Sequence, residues 1–413
     1  MFLHHALKLS GATAAAQMIS YASMPILTRL FGVDDYALLG LFFSWMLPLV
    51  VISTLRIEFS IPESSTHDVS LYRRDFALKV SFIMSLLVLA ALVILALLDV
   101  EFNPVYWFLP AGIVVTAWSQ IYNFFTTRTA EFILNSWCRI IGNLFISGIS
   151  LIIGYYFHHR FGLVIGFILG QFISLLVMIL FSKDRLGLKN LFRLVVNKNE
   201  IWKFDKYILY NTPNGLIEVL SLSVIMFFLE DSFGAVITGS FYLCFRILQA
   251  PSSLISNTIF LSQFANAAEM NREGKPFHHM VINTFLLLLG AAIPFMLLIM
   301  FFGENIFEMV FGDDWTQAGN LASLLILYFV LIFAVTPFNY VPLIKGKQRQ
   351  QLIFSFLDLL LRCGAFYGAA QKGNPELAIL LFSIIGSFFC LGYIIWYYQL
   401  ASQNNAANPM NEI

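Results

Sequence analysis

Apolar positions run along the chain for about 20 residues at a time, broken by short polar connectors, and each run is long enough to cross a hydrocarbon core of about 30 Å as a helix. The pattern predicts helices over 9–30, 36–56, 76–98, 105–126, 137–157, 162–181, 207–229, 235–263, 278–302, 319–343, 350–370 and 376–400. Strict alternation, which a membrane barrel needs, is absent from the pattern. The expectation is an all-α integral membrane protein of about twelve transmembrane helices in two six-helix lobes. The lobes are residues 1–182 and 207–400, joined by a basic connector over 183–206 and followed by a polar tail over 401–413. The start, MFLHHALKLSGATAAAQ, lacks a small-residue cleavage site after a short apolar core and reads as the first helix.

Three of the apolar runs carry polar stripes. In the eighth, Arg246, Gln249, Ser253 and Asn257 are spaced by three or four residues and share one face of a regular helix. The seventh repeats this with Tyr207, Asn211, Asn214, Glu218 and Ser221, and the first has a looser version in Ser10, Thr13, Gln17, Ser20 and Thr28. An arginine facing lipid near the membrane centre costs at least about 2.5 kcal/mol, so the stripes are expected to line protein or water. Pro48, Pro213, Pro251, Pro294 and Pro337 fall inside predicted helices and are expected to kink them.

Composition agrees with the pattern. The 413 residues are 59% hydrophobic and 12% charged, against roughly 25% charged in a soluble domain. Net charge is zero, so nothing in the overall balance favours nucleic acid. The four cysteines fall in or at helices and show no disulfide or zinc spacing, and the histidine pairs His4-His5, His158-His159 and His278-His279 lie near helix ends. No metal or cofactor is expected. Trp107, Trp202 and Trp315 are placed at the membrane interface.

Local charge sets an orientation. Of the 24 Lys and Arg, only Arg29, Arg160 and Lys372 fall in connectors on one side, and Arg246 and Arg362 fall in helices. The rest lie in connectors of the other side, which predicts both termini in the cytoplasm. The connector KDRLGLKNLFRLVVNKNEIWKFDKY mixes this charge with Leu186, Leu188, Leu191, Phe192 and Val195, as an amphipathic helix on an anionic leaflet would. In this frame Glu218 and Arg246 each lie about 16 Å deep. They either pair with each other or leave Arg246 for an anionic substrate. Asp358 and Arg362, four apart in the eleventh run, either neutralise each other or form a titratable switch for protons or sodium ions, and Glu218 is a further candidate for ion coupling.

The halves echo each other. LFGVDDYALLGLF resembles DSFGAVITGSFYL, setting Phe31-Gly32 against Phe233-Gly234 at an offset of 202. With six helices per half the repeat would be parallel.

Several stretches together resemble the polysaccharide-transporter family of the flippase and MATE superfamily. They are GATAAAQMISYASMPILTRLFGVDDYALLGLFFS with STLRIEFSIP, YNTPNGLIEVLS with GSFYLCFRILQAPSSLISNTI, and FGENIFEMVFGDDWTQAG. The turn after TRLF usually ends in glycine in that family and reads DDYALLG here. The resemblance implies a MATE-like fold and a flippase, not an enzyme, in the bacterial cytoplasmic membrane. Such a flippase moves an undecaprenyl-diphosphate-linked oligosaccharide across the bilayer for O-antigen, capsule or exopolysaccharide assembly, by alternating access through a partly cationic cavity. It also implies cavity roles for Arg246, Arg56 and Arg29, alongside Gln17, Asn211, Asn214, Glu218, Gln249, Ser253 and Asn257. Membrane lipids and a polysaccharide polymerase with chain-length proteins are the partners it suggests. The rival readings are a MATE-like drug exporter, a lipid II flippase and, from another class, a membrane polysaccharide polymerase. An exporter would favour acidic cavity groups, a lipid II flippase usually has two more helices, and a polymerase would need larger extramembrane loops.

Overall fold

The computed structural model describes residues 2–184, 204 and 207–403. Each expected segment falls on helical structure. The main helices are α1 (Phe2–Leu30), α2 (Val33–Thr54), α3 (His67–Leu97), α4 (Leu109–Arg128), α5 (Phe132–Ile152), α6 (Gly162–Phe181), α7 (Thr212–Phe233), α8 (Ala235–Leu248), α9 (Asn257–Arg272), α10 (His278–Phe311), α11 (Thr316–Val335), α12 (Gln348–Ala370) and α13 (Pro375–Ser402). Among the described residues, eight helices are long and apolar enough to cross a membrane. They differ in what they bury. In α2 and in the span Asp313–Ile344, 72% of the apolar window is buried, against 17% in α3, α10 and α12. The outward faces of the latter carry Leu97, Leu287, Phe301 and Leu361 in the open, which suits lipid and not water. This is a multi-pass membrane protein.

The described chain forms two compact units, Met1–Phe227 and Phe228–Ile413. The division falls inside α7, whose first half packs into the first unit: the Arg56 guanidinium lies against Gly215, and the Phe227 ring is 4.8 Å from Trp45. The 183–206 connector, expected to separate the lobes, lies outside the described residues except at 183, 184 and 204, and so does the tail from 404.

In the first unit α5 and α6 meet along a seam of small residues. A Cβ on Gly166 would collide with Ser150 Oγ, and one on Gly170 would collide with the Ile146 backbone nitrogen. Apolar side chains gain little by leaving lipid for a helix partner, so close backbone approach is what holds such helices together. Ser174 Oγ closes the seam by donating to the Cys138 carbonyl at 2.7 Å. The Gly170→Val variant is therefore expected to lose about 1–3 kcal/mol or more, read as a lower unfolding temperature in detergent. Gly148→Val on α5, where a Cβ meets open space, is the control and should leave that temperature unchanged.

The second unit repeats the device between α10 and α11, where a Cβ on Gly319 would collide with the Gly303 carbonyl oxygen. α11 is the most enclosed helix there, with Leu321, Leu325, Ile326, Phe329 and Ala334 all buried. Trp315, expected at the interface, is fully buried at the start of this helix; Trp107 is 42% exposed, and Trp202 lies outside the described residues. The difference follows from position: Trp315 sits in the tight turn after Gly312 and packs inward with α11.

The internal echo lands on equivalent joints. Gly32 is the N-cap of α2 and Gly234 the N-cap of α8, each following a phenylalanine. Gly32 N–H donates to Asp35 Oδ2 at 3.0 Å, which anchors α2, while Gly234 adopts φ 78, a conformation that favours glycine.

Candidate functional site

In the first unit the chain leaves α2 through two consecutive left-handed residues that are not glycine, Leu55 (φ 49) and Arg56 (φ 53). Each such residue costs roughly 1–2 kcal/mol, a strain that persists only where surrounding structure requires it. The turn swings the chain back so that Ile57 and Ile61 enter a core with Ala77, Leu78, Ile121 and Phe125. The same turn carries Glu58 inward with them, to 0% exposure. Burial raises the carboxyl above its ordinary pKa, with the Arg56 cation pulling the other way.

Arg56 faces α7. A Cβ on Gly215 would stand 2.5 Å from Arg56 Nη2, so the glycine makes room for the guanidinium. The other side of the guanidinium lies 5.3 Å from the Phe59 ring centre. Just before α7, residues Tyr207–Asn211 form a π-helical turn that packs on the Ile57–Ser60 turn. π turns inside helices frequently mark functional positions. From there Asn211, Asn214 and Glu218 are exposed, and Glu218 lies three residues beyond Gly215, on the same face. An exposed amide and carboxyl face on a membrane helix suits water and not lipid. The fold thus brings Arg56 to the polar face of α7, which the sequence alone does not join.

Other expected residues are spread more widely. Gln17 is half-buried in α1, and Arg29 is exposed at the end of that helix. Arg29 and Arg56 flank the 22-residue α2, about 33 Å apart along its axis.

In the second unit the eighth segment is not one regular helix. α8 ends at Leu248, Gln249 forms a turn, and Ser252–Ser256 is a second π-helical turn before α9. Pro251 stands at the break and removes a backbone donor there. The stripe Arg246, Gln249, Ser253, Asn257 therefore does not keep a 3.6-residue phase. Arg246 is half-buried near the end of α8 and Gln249 is exposed; the side chains of Ser253 and Asn257 lie outside those described. Glu218 and Arg246 belong to different units.

The expected pair on α12 is formed: Arg362 Nε donates to Asp358 Oδ1 at 2.6 Å. The guanidinium lies between the Tyr328 and Phe382 rings, 4.5 and 4.7 Å from their centres. Gly386 on α13 leaves the room, since a Cβ there would meet Arg362 Nη2 at 2.7 Å. The two rings and this glycine were not marked by sequence, because the i, i+4 rule speaks only of one helix.

The arrangement joins a helical membrane fold to polar faces built at helix breaks. That fold is shared with solved transporters. An inward-facing multidrug resistance MATE family transporter of the MOP superfamily aligns over 94% of this chain and 94% of its own, with a TM-score of 0.61 at 14% identity. Its outward-facing counterpart aligns over 96% and 95%, with 0.61 and 14%. A MOP superfamily transporter from Pyrococcus furiosus, described by a reverse polarity of its binding pocket, aligns over 97% and 96%, with 0.60 and 15%. The class is thus the MATE-like membrane fold. Residues 26–320 match the model of a polysaccharide biosynthesis protein family, and the chain belongs to that family. No curated protein matches the chain.

Proposed function

We propose that the protein is a flippase that carries a polyprenyl-diphosphate-linked oligosaccharide, a repeat unit of O-antigen, capsule or exopolysaccharide, across the bacterial cytoplasmic membrane by alternating access. The observation that carries this reading is the polysaccharide biosynthesis match over residues 26–320 on a chain with the MATE transporter fold. The polar faces support it. Sugar hydroxyls can exchange water for Asn211, Asn214 and Gln249, and the planar fork of Arg56 or Arg246 suits diphosphate oxygens, while a prenyl tail stays in lipid. In this reading Gln17 and Glu218 serve the substrate from the first unit, Ser253 and Asn257 belong to the cavity group of the second, and Arg29 serves entry or exit. The termini face the cytoplasm, and a polymerase with chain-length proteins takes the product.

The test is a strain lacking the protein. Surface polysaccharide should be lost and lipid-linked repeat units should accumulate on the cytoplasmic leaflet. Repeat units that still reach the outer leaflet, with drug sensitivity altered instead, would overturn the flippase in favour of an exporter.

A further inference from the structure

The first unit holds an apolar groove that has no part in the reading above. Its floor is α4 at Ala111, Val114 and Trp118, one wall is α6 at Ile168 and Phe172, and Ser85 on α3 closes the other side. Its volume is about 480 Å³. Both α3 and α6 pack on α4, so the groove is the gap between two helices that share a neighbour. A small side chain keeps the floor low: Ala111 lines the groove, while the next residue, Gly112, lies against Phe42 of α2.

The groove opens on the lipid-facing surface. Leu169, Phe172 and Leu176 on the α6 wall are exposed, and Phe82, Leu86 and Leu89 continue the exposed apolar surface along α3. Polar atoms in the lining are withdrawn from it. Ser85 Oγ donates to the Pro110 carbonyl at 2.8 Å, and Trp118 Nε1 is buried, so what the indole shows to the groove is carbon. An apolar recess of this kind stays dry, and left empty it forfeits the dispersion contacts of its lining. On a surface bathed in lipid, hydrocarbon is what fills it.

Size selects the occupant. The Phe108 and Phe161 rings are 5.4 Å apart, so α4 and α6 start side by side at one face of the membrane. The lining covers 110–118 on α4 and 168–179 on α6, about 12 and 17 Å at 1.5 Å per residue. One leaflet is about 15 Å deep, half of a core of about 30 Å. A helix from a second copy, about 10 Å across and 17 Å long, would fill on the order of 1,300 Å³, more than twice the space. A single hydrocarbon chain fits. Acyl chains of the bilayer surround this surface in large excess over any prenyl carrier, and mass action favours them.

We propose that the groove is a binding site for one acyl chain of a bilayer phospholipid, which completes the packing of α3 and α6 on α4. The chain is retained there, whereas lipids along the open faces of α10 and α12 exchange freely. The site does not depend on the flippase reading.

The test is native mass spectrometry of the full-length protein in a steroid-based detergent, whose rigid rings do not enter a single-chain groove. Dioleoyl phosphatidylethanolamine and undecaprenyl phosphate are supplied at equal concentration. The wild type should retain one phospholipid, and Ala111→Phe, which fills the floor, should retain none. Adding the phospholipid back should raise the unfolding temperature of the wild type and leave that of Ala111→Phe unchanged. Should Ala111→Phe fail to give folded protein, Val114→Phe carries the same comparison. In liposomes, a phospholipid with a diazirine on its acyl chain should label residues 110–118 and 168–179 of the wild type more heavily than Leu287, Phe301 and Leu361. Equal retention by wild type and filled variant, even labelling of all these positions, or retention of undecaprenyl phosphate in place of the phospholipid overturns the proposal.

Discussion

Asp358→Asn is expected to destabilise the second unit by about 3–5 kcal/mol, the usual result of stripping the counter-charge from a buried cation. Arg362 has little alternative to its partner. It is 6% exposed, its Nε donates to Asp358 at 2.6 Å, and two aromatic rings and the Gly386 backbone occupy the space around it. Asparagine keeps the shape of the acceptor and loses its charge. The unfolding temperature in detergent, or the yield of membrane-inserted protein, measures the loss. An Asp358→Asn protein as stable as the wild type would show that the carboxylate is not the group that holds the cation. The double variant Asp358→Leu with Arg362→Met then separates the two roles open for this pair. Replacing a buried pair by apolar groups of similar volume is often neutral or stabilising. If the double variant is stable and exports glycan, the pair only neutralises two charges; if it is stable and inactive, the pair takes part in transport.

The second large effect is expected at Arg246. Arg246→Ala should lower export of surface glycan by about 10- to 100-fold, the equivalent of one charge-assisted hydrogen bond of about 1.5–3 kcal/mol, while leaving the protein in the membrane. The residue sits two positions before the end of α8, next to the turn at Gln249 and the break at Pro251. The free carbonyls and negative dipole end of a helix C-terminus favour a cation at that place, and in the flippase reading the guanidinium is the group that meets the diphosphate. Arg246→Lys should fall between, since lysine keeps the charge and loses the planar fork. Normal export by Arg246→Ala, with normal protein levels, would exclude the residue from substrate handling.

Much of the architecture is legible because lipid imposes a simple rule: backbone groups must be satisfied within each span, so length and apolarity find the helices. The Phe31-Gly32 and Phe233-Gly234 echo is legible for a related reason, as both glycines cap the helix that follows. What periodicity misreads is the interior of a segment. In the eighth segment the spacing of Arg246, Gln249, Ser253 and Asn257 fits one regular helix, so the break after Leu248 and the π turn over Ser252–Ser256 left no mark except Pro251. Three of the five marked prolines, Pro213, Pro251 and Pro337, do stand beside irregular turns, whereas Pro48 and Pro294 sit inside continuous helices. The burial of Glu58 left no mark because an acid just beyond a span reads as hydrated, and it is the left-handed pair at Leu55 and Arg56 that turns it inward. The small-residue seam had a signal that went unused: Gly162, Gly166 and Gly170 recur every fourth residue along α6.

That seam has a practical consequence for watching the protein move. Helices in backbone contact have no slack, so α5 and α6 form a natural reference body against which displacements elsewhere can be expressed. Cys138, Cys244 and Cys390 are buried and Cys363 is half-buried, so a background for paired spin or dye labels starts from a single substitution, at Cys363. One label at Gly148, where added atoms meet open space, and a second on any moving helix would then report that helix's motion rather than the sum of two.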